Sequence, residues 1–105
     1  MNNSGKKSFL KEIINILKDS KAIDIITIDV AKRSSFANFI VVAEGTSSRH
    51  VNSIVSKLSK SFKENVLSIE GLPNAEWALI DFGDIVIHIF KPEIRKHYNL
   101  EKIWS

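Results

Sequence analysis

The run Trp77-Ala-Leu-Ile-Asp-Phe82, Gly83-Asp84, Ile85-Val-Ile-His-Ile-Phe90 constrains this chain more than any other segment. Two apolar runs separated by Gly-Asp predict a β-hairpin closed by a two-residue loop. Loop length sets register, so Phe82 meets Ile85, Ile80 meets Ile87 and Ala78 meets Ile89. On the opposite face Asp81 meets Val86, Leu79 meets His88 and Trp77 meets Phe90. The first set is a plain aliphatic core face. The second mixes aromatic rings with a carboxylate and an imidazole, which is the composition of protein–protein interfaces. A helix laid across it would instead make it a second core layer. The pattern alone leaves both readings open.

The remaining elements follow from periodicity. Phe9, Leu10, Ile13, Ile14 and Leu17 recur at helical spacing, predicting a helix over residues 4–20 with Ser4 as N-cap. Residues 22–30 are short and rich in β-branched side chains, a strand. Lys32 to Ser35 is a polar loop. Residues 38–43, Asn-Phe-Ile-Val-Val-Ala, read as a central strand buried on both faces. Val51, Ile54, Val55, Leu58 and Phe62 form one helical stripe over residues 48–64. Residues 66–70 are a short strand, and Gly71 to Asn74 is a turn. Pro92 stops the last strand and can open a helical turn over residues 92–97. Leu100, Ile103 and Trp104 are apolar anchors in the tail. The order α-β-β-α-β-β-β predicts an α/β domain over residues 1–105. It is a single mixed sheet of about five strands flanked by helices. The strand–helix–strand passage over residues 38–70 should cross over right-handed if its strands are parallel.

Composition narrows the function classes. With no cysteine there is no disulfide framework and no thiolate chemistry. No apolar run approaches the ~20 residues that span a bilayer, and the N-terminus lacks signal or transit character, so a cytoplasmic protein without membrane contact is expected. The charge of +3 is unevenly spread. Residues 1–69 hold eleven Lys/Arg against six Asp/Glu, a balance of +5; residues 70–105 hold four against six, a balance of −2. The hairpin lies in the acidic part, so its partner should be basic. The lysines Lys6, Lys7, Lys11, Lys18 and Lys21 fit a solvated helix surface, with proximity to nucleic acid as the alternative.

Catalytic constellations are not found. Gly45-Thr-Ser-Ser48 joins a buried strand to a helix, where amides can hold an anion, but Ser and Thr there are also ordinary caps. Nucleotidyl transfer needs paired carboxylates for metal ions, and residues 47–63 contain no Asp or Glu. His50, His88 and His97 lack metal-ligand spacing, so no metal site is expected. Asp84 belongs to the hairpin turn. Asp81 and His88 are diagonal neighbours on an open sheet rather than partners in a cleft. Ser47 or Ser48 with His50 is too local for a nucleophile system.

Several segments together are similar to one family: Gly45-Thr-Ser-Ser-Arg-His-Val51, Glu70-Gly71, Glu76-Trp77, Asp81-Phe-Gly-Asp-Ile-Val-Ile-His88, and Pro92-Glu-Ile-Arg95 through Tyr98-Asn-Leu-Glu-Lys-Ile-Trp104. From about Lys21 to the end, the chain resembles the ribosomal silencing factors, RsfS, also called Iojap-like. The resemblance implies a nucleotidyltransferase-like fold without enzymatic activity and without a cofactor. It also implies binding to the large ribosomal subunit through its protein number fourteen, and a steric block of subunit joining that represses translation. Asn38 stands where the family often has Asp. Carried onto this chain, the ribosome-facing surface falls on Trp77, Leu79, His88 and Phe90, with Glu70, Glu76 and Asp81 beside them. A homodimer through the same face, and rRNA close by, are further expectations. The alternative from another class is a nucleotidyltransferase-like nucleotide-binding enzyme using Gly45 to Ser48.

Overall fold

The computed structural model describes residues 3–32, 37–71 and 76–98. The tail anchors Leu100, Ile103 and Trp104, and most of the 71–74 turn, lie outside them. Helix α1 (Asn3–Asp19) precedes β1 (Ile23–Asp29) and β2 (Phe39–Glu44). Helix α2 (Ser48–Ser61) follows, then a 3-10 turn (Lys63–Asn65), β3 (Ser68–Glu70), β4 (Trp77–Asp81), β5 (Ile85–Phe90) and α3 (Pro92–Tyr98). The five strands form one mixed sheet in the order β1-β2-β5-β4-β3. Among the described strands β2 and β5 pair in parallel, and the other three pairs are antiparallel. β2 and β3 therefore run the same way, separated by β5 and β4.

β2 is central and buried from Ile40 to Ala43, as its continuous apolar run predicts. β4 and β5 pair in the predicted register, from Trp77 with Phe90 to Asp81 with Val86. Gly83, at φ 88°, supplies the left-handed backbone of the turn. The Asp81 carboxylate accepts from the Gly83 N–H at 2.7 Å, and the turn closes through Phe82 N–H to the Ile85 carbonyl at 2.9 Å. The Asp84 carbonyl accepts from the N–H groups of Asn38 and Phe39, tying the hairpin turn to the start of β2.

Each sheet face has its own core. Ile13 and Leu17 of α1 and Val51, Ile54, Val55 and Leu58 of α2 pack on Val41, Ala43, Ala78, Ile80, Ile85, Ile87 and Ile89. The opposite face carries a smaller cluster of Val30, Ala37, Ile40, Val42 and Phe90, with Ile94 of α3 against it.

Local departures from expectation have local causes. α1 already includes Asn3, so Ser4 lies inside the helix and is not its cap. The helix ends in a Schellman motif: Ala22 N–H donates to the Leu17 carbonyl, Lys21 N–H to that of Lys18, and Lys21 sits at φ 62°. α2 stops at Ser61 rather than 64, because Phe62 leaves helical geometry and joins Phe9 and Phe82 in edge-to-face contacts at 5.0–6.0 Å. β3 is only three residues long, starting at Ser68 rather than 66. β1 is an edge strand with an irregularity between Ile23 and Ile26, where Asp24 adopts φ 50°. Among the described residues no helix is long and apolar enough to cross a membrane.

Candidate functional site

Sheet registry builds the mixed face as a grid. Glu44, Phe90 and Trp77 share one row; Val42, His88, Leu79 and Glu70 share the next; Ile40, Val86, Asp81 and Ser68 a third. The structure thus brings Trp77, Leu79, Asp81, His88, Phe90 and Glu70 onto one surface. Glu76, the residue before β4, is exposed, and its carbonyl accepts from Lys91 N–H.

The residues of this grid are not equivalent. Phe90 is 1% exposed, packed with Val42, Ile40 and Ile94. The alternation of the hairpin puts Phe90 on the mixed face, but α3 covers that end of it, so Phe90 supports the surface from beneath. Trp77 stacks on Phe90 with ring centroids 4.8 Å apart and stays half-buried. Leu79, Asp81 and His88 are also half-buried. The Trp77 indole Nε1–H donates to His88 Nδ1 at 3.0 Å. Because Nδ1 accepts, neutral His88 carries its proton on Nε2. Burial lowers the His88 pKa from 6.5 to about 4. The imidazole is therefore neutral at physiological pH and fixed in orientation. Asp81, whose carboxylate is held by the turn, is a capping group rather than an acid–base partner.

Beyond Trp77 and Leu79, Glu70 and Gly71 close an open concavity of about 250 Å³. Gly71 sits at φ 96°, and a Cβ there would collide with the Trp77 carbonyl oxygen. Only glycine permits that approach. The pairing of Glu70 with Gly71 in the sequence carried no direct sign of this contact.

The second candidate, Gly45 to Ser48, is already satisfied internally. Ser47 caps α2, its hydroxyl accepting from His50 N–H at 3.1 Å. His50 Nδ1 accepts from Thr46 N–H at 2.9 Å, and its Nε2 meets the Ser20 carbonyl at 2.8 Å. His50 thus joins the end of α1 to the start of α2, and the amides of Thr46 and His50 are occupied by side chains of the segment itself. Among the described residues no group of three or more His, Cys, Asp or Glu is placed to hold a metal ion.

Sequence reasoning quoted Arg95 in the Pro92-Glu-Ile-Arg95 segment but gave it no role. Its guanidinium, 8% exposed as a residue, donates to a Glu44 carboxylate oxygen at 2.8 Å and to the Asp24 carbonyl at 2.7 Å. It pins α3 over β1 and β2, beside the buried Phe90.

Similarity to known proteins extends over nearly the whole chain. A family model described as ribosomal silencing factor during starvation matches residues 3–105. A ribosomal silencing factor RsfS of Zymomonas mobilis is 47% identical over 99 residues, covering 91% of this chain and 74% of that protein. A mouse protein named mitochondrial assembly of ribosomal large subunit protein 1 is 34% identical, covering 96% of this chain and 47% of its own length. A crystal structure of a Chromobacterium violaceum protein superposes with a TM-score of 0.89 at 34% identity, covering 93% of this chain and 84% of that one.

Proposed function

The chain belongs to the ribosomal silencing factor family, RsfS, and on that premise we propose that it represses translation by docking on the large ribosomal subunit. In this reading the Trp77 face meets that subunit's protein number fourteen in the cytoplasm. The bound domain then occupies space the small subunit needs, and subunit joining is blocked. The chain acts by position and catalyses nothing.

One observation carries the proposal. A half-buried indole, pinned by His88 and backed by buried Phe90, stands on the sheet face opposite α1 and α2. Holding a large aromatic rigidly at a solvent-facing surface removes most of its ordering cost before a partner arrives. Such residues are typical binding hot spots, and truncating one costs about 2–4 kcal/mol of affinity. The acidic groups around it suit a basic partner, and they tune association rate and its salt dependence.

The test is sedimentation of purified large subunits with wild-type protein and with Trp77→Ala, each first verified as folded by circular dichroism. Binding should weaken by more than about tenfold in the variant, and only the wild type should prevent the two subunits from joining. Equal binding by both proteins would refute the proposal. A titration with nucleotide and magnesium addresses the enzymatic alternative and should give no saturable signal, since the Thr46 and His50 amides are engaged.

A further inference from the structure

We propose that the concavity bounded by Glu70, Gly71, Trp77 and Leu79 is a socket for a single arginine side chain of the protein partner. The proposal rests on the reading that this face docks on the large subunit, and names the chemistry it recognises there.

The walls dictate the occupant. Leu79 and the Trp77 ring offer apolar and aromatic surface to the stem and flat head of a long side chain. Glu70 is paired with Leu79 across β3 and β4, so its carboxylate belongs to the same row as Leu79 and His88. That carboxylate is exposed and makes no hydrogen bond or ion pair with any described residue. It is the only charged group among the described lining residues. Gly71 keeps the floor low, since any side chain there would strike the Trp77 backbone. About 250 Å³ is room for one long side chain.

Other occupants fit worse. A purely aliphatic side chain would desolvate Glu70 without pairing it, which is costly for a carboxylate. A phosphate of RNA would meet the same carboxylate as a like charge, so this face selects protein over nucleic acid. Lysine could satisfy the charge, but its compact ammonium neither lies flat against an indole nor donates a two-pronged pair to a carboxylate. Arginine does both. His88, beside Leu79 in the same row, has Nδ1 committed to Trp77 and adds no positive charge to repel the incoming guanidinium.

The experiment measures equilibrium binding to purified large subunits for wild type, Glu70→Gln, Glu70→Arg, Glu64→Gln and Trp77→Ala. Glu64 is an exposed acid in the 3-10 turn, outside the socket, and matches the net-charge change of Glu70→Gln. Glu70→Gln should weaken binding about tenfold and flatten its salt dependence, and Glu70→Arg should weaken it about a hundredfold or more. Glu64→Gln should stay within about twofold of wild type, as an exposed charge away from the contact does. If Glu70→Gln and Glu64→Gln behave alike while Trp77→Ala still loses binding, the socket is wrong and the docking face stands. If Trp77→Ala also binds normally, the docking face itself is wrong.

Discussion

The indole N–H of Trp77 donates to Nδ1 of His88 on the neighbouring strand, 3.0 Å away. This bond couples the most prominent aromatic on the surface to the protonation state of a histidine. It exists only while Nδ1 is unprotonated, because an imidazolium has no acceptor to offer. The ring that presents the surface and the ring that orients it are therefore one unit, stacked in turn on Phe90.

The burial of His88 predicts how stability varies with pH. In the unfolded chain His88 takes up a proton near pH 6.5; in the fold, burial delays this to about pH 4. Between these values the unfolded state binds the extra proton, so stability falls as pH drops. His88 contributes fully above pH 6.5, its contribution declines through that window, and it levels off below about 4. The total is about 3 kcal/mol, since each pH unit separating the two values is worth about 1.36 kcal/mol. In urea titrations between pH 7.5 and 4, the stability of wild type relative to His88→Gln should fall by that amount as pH drops across this interval. Parallel curves would show that His88 is not the group responsible.

Trp77 and Phe90 face each other in the register but should fail differently when truncated. Phe90 is enclosed, so Phe90→Ala should cost about 3–5 kcal/mol of folding stability through the cavity it leaves. Trp77→Ala removes a half-buried ring and its hydrogen bond to His88. It should cost less than half as much stability, its main effect being on binding. Denaturation midpoints for the two variants decide this, and a larger loss for Trp77→Ala would make Trp77 a core residue.

What the sequence disclosed, and what it withheld, divides along physical lines. The hairpin register was legible because a two-residue loop leaves one pairing and alternation does the rest. β2 was legible because only a strand covered on both faces tolerates Ile40 to Ala43 without a polar residue. The burial of Phe90 was not legible, since alternation assigns a face but cannot tell which end of that face a distant helix covers. The role of Arg95 was not legible for the same reason: Glu44 and Asp24, which it holds, lie 51 and 71 residues away, and no local pattern encodes the pairing. The concavity depends on Gly71 meeting the Trp77 backbone across two strands, a contact that exists only once β3 and β4 are paired. The candidate residues were thus largely foreseeable, and their division into support and surface was not.

The end of α1 offers a stabilising change. Lys21 occupies the left-handed position of the Schellman motif at φ 62°, which disfavours a side chain. Glycine relieves that strain but loses more chain entropy on folding, so Lys21→Gly should gain about 0.5–1 kcal/mol net. Thermal melts at matched pH give the answer directly. A lower melting temperature would mean that the Lys21 side chain makes a compensating contact.

Arg95 and Glu44 form a buried pair that holds α3 on the sheet, with side chains 9% and 12% exposed. Removing one partner should be worse than removing both. Arg95→Met leaves the Glu44 carboxylate and the Asp24 carbonyl without the guanidinium, and breaking such a pair costs about 3–5 kcal/mol. Glu44→Met should be costly for the mirror reason, an enclosed cation. The double variant exchanges the pair for two apolar side chains and should recover part of the loss, giving a coupling of at least about 1 kcal/mol. Because Ile94 of α3 packs against Phe90, and Phe90 backs Trp77, damage at Arg95 should reach the candidate surface. Hydrogen exchange should show faster amide exchange in α3 and at the Trp77 end of β4 in Arg95→Met, with α2 nearly unchanged. Additive losses in the double variant, or exchange that rises equally in α2, would reduce the pair to an ordinary stabilising contact with no particular hold on that face.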